Sequence, residues 1–272
     1  MDFENKYTVE QQAFRVVVSG WLSQNFPQGL NIPPDGRPLD VYNQDRVKDF
    51  RRKLGNLGWL APYWPREYGG GGLPQALGSV IQEELGMLDL PSLGDNYRWI
   101  PAVMAWGTQE QKLRYVPPAL RGETITWQCF SEPQGGSDLA AISTQAVSDG
   151  GDYLVTGGKA FITGQFDPDY LWTLAVTDQN RPPKYNLGLL MVDARLPGVS
   201  MKSQRLLAGS EWQVSFDRVR VPTDCLVGHS YQGWEIVQSI LEGERGGFGF
   251  RSAEDGTVES VLQYLKEERD QS

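Results

Sequence analysis

Histidine and cysteine are nearly missing from this chain: 272 residues hold one of the first and two of the second. His229 cannot by itself anchor a histidine metal site or a proton relay, and no Ser-His-Asp set assembles around it. Cys129 and Cys225 are too few for a disulfide scaffold. No CxxC pair or Cys/His cluster offers zinc a set of ligands. Positive charge is also scarce: 25 Lys and Arg stand against 34 Asp and Glu, a net charge of −9. A nucleic-acid surface needs the opposite balance, although a small anionic ligand can still find a local pocket. No apolar run approaches the roughly 18 residues of a membrane helix, and no apolar segment follows a basic start. The expectation is a soluble protein of the reducing cytoplasm, with no membrane span and no nucleic-acid partner. Also missing are internal repeats and a GxGxxG opening a βαβ unit, so a dinucleotide here is not bound in Rossmann fashion. The glycine run Gly69–Gly72 lacks the Lys-Ser/Thr of a phosphate loop.

What is present falls into three textures. Thr8 and Gln11 form a capping-box pattern ahead of Phe14, Val17 and Trp21, a helix ended by Pro27. Val47, Phe50, Leu54 and Leu57 make a second stripe, and Leu77, Val80, Ile81, Leu85 and Leu88 a third. A second capping box, Thr108 to Gln111, opens a short helix that Pro117 and Pro118 are expected to stop. The tryptophans and tyrosines of this half (Trp59, Tyr63, Trp64, Trp99, Trp106) read as core and loop packing. Near residue 122 the period becomes two. Ile125, Trp127 and Cys129 alternate, and further strands are expected at 143–147, 153–156, 171–177, 187–192 and 212–221. Asp149-Gly150 and Gly157-Gly158 are read as turns between them. From about residue 230 the helical period returns through Trp234, Val237, Leu241, Glu244 and Phe248, then through Val258, Val261, Leu262 and Leu265. The fold class expected is α+β: a helical domain over 1–121, a middle antiparallel β domain over 122–229, and the start of a helical bundle over 230–272.

Two features bear on chemistry. The stretch FSEPQGGSD, Phe130 to Asp138, follows an apolar strand. Gly135 and Gly136 allow close backbone approach, and Ser131 and Ser137 offer hydroxyl donors. It reads either as a polar turn closing a strand or as a loop cradling a phosphate or a flavin edge. Glu244 lies on an apolar helical stripe. Such a carboxylate is either a desolvated base or the partner of a buried arginine.

The order of GWLAPYWPREYGG, GTQEQKLRYVPPALRGE, FSEPQGGSDLA, YLVTGGKAFITG, FDRVRVPTDCLVG and GWEIVQSILEGERGG resembles the acyl-CoA dehydrogenase family from near the N-terminus to about residue 250. The resemblance implies an N-terminal helical domain, a middle β domain and a C-terminal helical bundle. It implies FAD as cofactor, an acyl-CoA as substrate and α,β-dehydrogenation to a trans-2-enoyl-CoA, with electrons leaving to an electron-transfer flavoprotein. By position, Gln128, Phe130 and Ser131 would lie along the flavin, Ser131 near its N5 side. Ser137 would bond the pyrophosphate and lie close to the acyl-CoA. Phe161, where relatives often carry tryptophan, would pack on the ring, and Thr163 would hydrogen-bond it. LEGER matches the branch in which the base precedes an arginine in the first helix after the β domain. That places the base at Glu244, with Arg245 shaping the substrate pocket. The chain stops about one and a half helices into a bundle that relatives continue, and relatives form oligomers. The resemblance therefore also admits a non-catalytic or partial subunit of a homo- or hetero-oligomer, and, on electron acceptor alone, an acyl-CoA oxidase.

Overall fold

The computed structural model describes residues 7–33, 38–94, 97–207 and 209–246, the last five by their backbone. The described residues form six α-helices followed and interrupted by an eight-stranded sheet. Helix α1 (Val9–Asn25) starts as its sequence dictates: Thr8 Oγ1 accepts from the Gln11 backbone, and Gln11 Oε1 accepts from the Thr8 N–H. Its buried residues are Val18 and Leu22, with Phe14 and Trp21 packed beside them. Val17, expected on the inner stripe, faces solvent, because Phe14, Val18 and Trp21 already complete one face at spacings of three and four. Helix α3 (Gln75–Gly86) lies against α1, tied by Arg15, which forks onto Glu83 and Glu84.

Helix α2 (Val41–Asn56) buries Val47, Phe50 and Leu54; Leu57 follows the helix as its cap and is exposed. The stretch Trp99–Trp106 forms helix α4, which the sequence reading left as aromatic packing. Helix α5 (Gln109–Leu120) has the expected capping box but runs through Pro117 and Pro118. The prolines remove two intrahelical donors. The turn persists because Tyr115, Val116, Ala119 and Leu120 are all buried along it. The buried Arg51 guanidinium also donates to the carbonyls of Ala119 and Thr124 where the helix dipole is negative. Gln111 does a second task there: its amide donates to the carbonyls of Asp224 (2.6 Å) and Leu226 (2.8 Å), fastening the helical region to the sheet.

The strands are β1 (Thr126–Cys129), β2 (Gln145–Asp149), β3 (Asp152–Ile162), β4 (Tyr170–Val176), β5 (Leu187–Asp193), β6 (Val199–Arg205), β7 (Ser210–Pro222) and β8 (Leu226–Val227). They run in the order β6-β7-β3-β2-β4-β5-β8, with β1 paired to β4. Pairing is antiparallel except for β1 with β4 and the single register point Gln145 with Val176. Asp149-Gly150 makes the expected β2–β3 turn. Gly157-Gly158 does not turn: β3 continues through it with a register shift against β7, and Gly157 (φ +143°) is where the strand deforms. A Cβ at Gly157 would stand 2.7 Å from Thr144. Strand β6 was not expected, since VSMKSQR is exposed over almost its whole length and carries no apolar alternation.

Strands β4 and β5 are covered on both faces. Leu171, Leu190 and Val192 join the core under α1–α3, while Trp172, Leu174, Leu189 and Met191 join the one under α4, α5 and helix α6 (Gly233–Gly246). Double coverage accounts for their unbroken apolar runs. On α6 the buried residues are Ile236, Val237 and Ile240, with Trp234 and Leu241 alongside. The segment with Val258, Val261, Leu262 and Leu265, and Phe248, lie outside the described residues.

Helices α2 and α5 meet so closely that a Cβ at Gly55 would stand 2.1 Å from the Arg121 carbonyl oxygen. Gly55→Ala therefore lowers stability by about 1–3 kcal/mol through overpacking. That outcome runs against the gain of about 1 kcal/mol that alanine brings to an open helix site. The midpoint of urea unfolding checks it.

Candidate cofactor and substrate site

The stretch after β1 folds into a tight turn docked on β3. Glu132 and Gly135 exchange backbone hydrogen bonds, both 2.9 Å, with Pro133 and Gln134 at the tip. Proline suits the second position of such a turn. Gly136 has no room for a side chain: a Cβ there would lie 2.6 Å from Ser131 Oγ. Ser137 and Asp138 then emerge into solvent, and Asp138 Oδ1 accepts from the Ala140 N–H to start a short 3₁₀ turn. The two adjacent glycines thus differ in role: Gly136 permits a close approach, and Gly135 closes the turn.

A buried ion pair sits beneath. Lys159 Nζ lies 2.9 Å from Glu132 Oε1, with side chains 0% and 1% exposed. The ammonium also donates to the Phe130 carbonyl at 3.0 Å. Glu132 accepts from the backbone N–H groups of Ser143 (2.7 Å) and Thr144 (2.8 Å), and from Ser143 Oγ and the Gln134 amide. Burial pushes the Glu132 carboxyl up. Lys159 and these donors outweigh it and hold the group down at about 2, while burial draws the Lys159 ammonium below its ordinary value.

Strand β3 ends in a second irregularity. Register against β7 shifts between Lys159 and Ile162, and Phe161 between them has φ +59° and is 57% exposed. A non-glycine residue in the left-handed region costs about 1–3 kcal/mol and persists only where its surroundings impose it. Next come Thr163 and Gly164. No Cβ fits at Gly164, where the Trp127 indole would be 2.3 Å away. Trp127 Nε1 donates to the Phe166 carbonyl and Trp212 Nε1 to the Gly164 carbonyl, each at 3.0 Å. Thr126, Trp127, Thr163 and Gln165 face Ser92 and Arg98 across a cleft of about 440 Å³ between the sheet and the helical region.

The structure therefore brings five expected residues onto two bonded segments. Gln128, Phe130 and Ser131 lie on one, and Phe161 and Thr163 on the other. The Ala160 N–H to Ser131 carbonyl bond (3.0 Å) joins the segments. Phe130 is buried, Ser131 half-buried and Thr163 exposed. Gln128 Oε1 is a buried acceptor without a partner. Glu244 and Arg245 fall in the last turn of α6, and their side chains lie outside the described residues. Position 244 continues the register of Val237 and Ile240 along that helix. The sequence reading missed Glu132 and Lys159. Their signal was present: Lys159 in GGKAFI is a charge within an apolar strand and Glu132 follows closely on one, and a buried charge requires a partner.

Two family descriptions match the chain: "Acyl-CoA dehydrogenase, N-terminal domain" over residues 8–123 and "Acyl-CoA dehydrogenase, middle domain" over 128–218. The chain belongs to the acyl-CoA dehydrogenase family. It is 34% identical over 197 residues to acyl-CoA dehydrogenase FadE29 of Mycobacterium tuberculosis, a match covering 71% of this chain and 51% of that protein. The chain thus spans about half the length of that relative. Among solved structures it resembles a Tcur3481-Tcur3483 steroid ACAD variant (TM-score 0.76, 27% identity, 87% of this chain, 62% of that one). It also resembles the ChsE4-ChsE5 complex from Mycobacterium tuberculosis (TM-score 0.69, 26% identity, 89% and 61%).

Two outcomes follow for the ion pair. Lys159→Met leaves the Glu132 charge buried alone and lowers stability by about 3–5 kcal/mol. Glu132 titrates lower folded than unfolded, so between about pH 4.3 and its folded value of about 2 the unfolded chain binds the extra proton. Its contribution is complete above that window and is lost as pH falls through it. Urea midpoints measured across the window slope less steeply with pH in Glu132→Gln than in the parent.

Proposed function

We propose that this chain carries the flavin- and thioester-binding part of an acyl-CoA dehydrogenase, acting on an acyl-CoA to give the trans-2-enoyl-CoA. One observation carries the reading most: Phe161 is held exposed in a strained conformation directly beside the Phe130–Ser131 segment, in a chain of this family. An exposed ring, an acceptor without a partner on Gln128 and the hydroxyls of Ser131 and Thr163 suit a flat heteroaromatic with a hydrogen-bonding edge.

In this reading Gln128, Phe130 and Ser131 would line the flavin, Phe161 would pack on its ring and Thr163 would hydrogen-bond it. Ser137, exposed at the end of the glycine turn, takes the pyrophosphate and stands close to the acyl-CoA. FAD, when bound, supplies the acceptor for the β-hydrogen as hydride. Glu244 takes the α-proton of the thioester. A carboxylate is the group such an α-proton abstraction calls for. Arg245 shapes the adjoining pocket. The electrons pass on to an electron-transfer flavoprotein.

A second reading has its own support. Two of the solved structures that the chain resembles are named as pairs of components, ChsE4-ChsE5 and Tcur3481-Tcur3483. In that reading the chain is one subunit of a heteromer whose partner is a related acyl-CoA dehydrogenase chain. Purification separates the two. Alone, the enzyme is yellow, with flavin bands in the visible spectrum, and Glu244→Gln keeps the bands while losing turnover of an acyl-CoA. A colourless protein that turns yellow only with a partner chain supports the heteromer. A colourless protein under both conditions overturns the cofactor assignment.

A further inference from the structure

We propose that the buried Glu132–Lys159 pair is the register lock of this site: it holds the end of β3 out of its regular pleat so that Phe161 faces outward beside Ser131. The proposal rests on the cofactor reading above and goes beyond it by assigning the positioning to two residues that do not themselves touch the ring.

The argument begins with the alternation of β3. Tyr153 and Val155 point inward, and Lys159 continues on that face. An unbroken strand would carry Phe161 inward as well, since side chains two apart share a face. Instead Lys159 and Ala160 are both buried and Phe161 is exposed, across the register shift between Lys159 and Ile162. A slip of one residue reverses every side chain beyond it. The observed register exposes an apolar ring and places its backbone at φ +59°, two penalties that burying Phe161 in a regular strand would avoid. Something must impose it.

Three bonds fix the residues immediately before Phe161. Lys159 Nζ is anchored to Glu132 and to the Phe130 carbonyl, and the Ala160 N–H to the Ser131 carbonyl. Moving Lys159 outward by one residue would strand the Glu132 carboxylate, which four further donors hold in place, in the interior. The same anchoring sets the Phe130–Ser131 segment against the strand. One ion pair therefore couples both walls of the site, and Glu132 and Lys159 are positioning residues.

The test compares three proteins of the full chain: the parent, the double variant Lys159→Met with Glu132→Gln, and Leu54→Ala, a core truncation in α2 that destabilises the fold away from the site. At a temperature where all are folded, titration with FAD gives a dissociation constant raised about tenfold or more in the double variant and within about twofold of the parent in Leu54→Ala. Hydrogen exchange, which needs no flavin, rises across 130–137 and 159–163 in the double variant and stays unchanged in β4 and β5. Equal FAD binding in parent and double variant overturns the proposal, as does an equal loss in Leu54→Ala. If the parent binds no FAD, the cofactor reading fails, and exchange alone decides the register lock: unchanged exchange at both segments overturns it. Should the double variant not fold, Ser143→Ala removes one hydrogen bond to Glu132 and carries the same readouts, with an expected change of about threefold.

Discussion

A carboxylate and an ammonium with almost no access to water are tolerable only if every lone pair and proton finds a partner. Around Glu132 and Lys159 those partners come from four places in the chain: the Phe130 carbonyl, the Gln134 amide, Ser143 and Thr144. A constraint of this kind has little slack. The turn after β1, the start of β2 and the end of β3 must all arrive in one geometry, because any other leaves a bare charge in the interior. The groups assigned to ligand binding, on Gln128, Phe130, Ser131, Phe161 and Thr163, stand on the two segments so fixed. The α4–α6 layer behind β4 and β5 is held by apolar coverage together with the Gln111 bonds to the Asp224 and Leu226 carbonyls.

Much of the architecture was legible because local patterns and burial agree. The capping boxes at Thr8 and Thr108 work as written, and the runs LWTLAV and LGLLMV appear as strands covered on both faces. Where reading failed, a long-range term won. Pro117 and Pro118 argue for a helix stop, yet four buried neighbours and the distant Arg51 keep the turn helical. Gly157-Gly158 has the composition of a turn. Whether two glycines bend a chain back or merely deform a strand depends on what pairs alongside, and here β7 pairs on both sides of them. VSMKSQR lacks any apolar period because as an edge strand it has nearly nothing to bury. Val17 and Val18 are chemically the same, and only the neighbours of α1 decide which of them turns inward.

The site was legible in a different way. Ser131, Ser137, Phe161 and Thr163 were singled out by a motif order, and no single one of them announces chemistry by itself. The glycine turn could be read locally as a loop of close backbone approach to a ligand; what Gly136 itself shows is a close approach to Ser131 within the chain. The strain at Phe161 was invisible to the sequence, since a phenylalanine in an apolar strand is the ordinary choice and only the backbone angle marks it as unusual. Glu132 and Lys159 were passed over because a lone charge reads as solvated until its counterpart is found, and here the two stand 27 residues apart, one in the turn after β1 and the other on β3.

One consequence concerns the order in which the sheet can form. Strands β2 with β3 and β6 with β7 are joined by short turns and can pair as soon as they are made. Strand β1 is different: Thr126 pairs in parallel with Tyr170, so its docking waits on the whole intervening chain, including the β2–β3 hairpin. Closing so long a loop is entropically slow and is rewarded only when the far strand is already in place. Docking of β1, and with it of the Phe130–Ser131 segment that follows, is therefore expected to come after β2 has paired with β3 and β6 with β7.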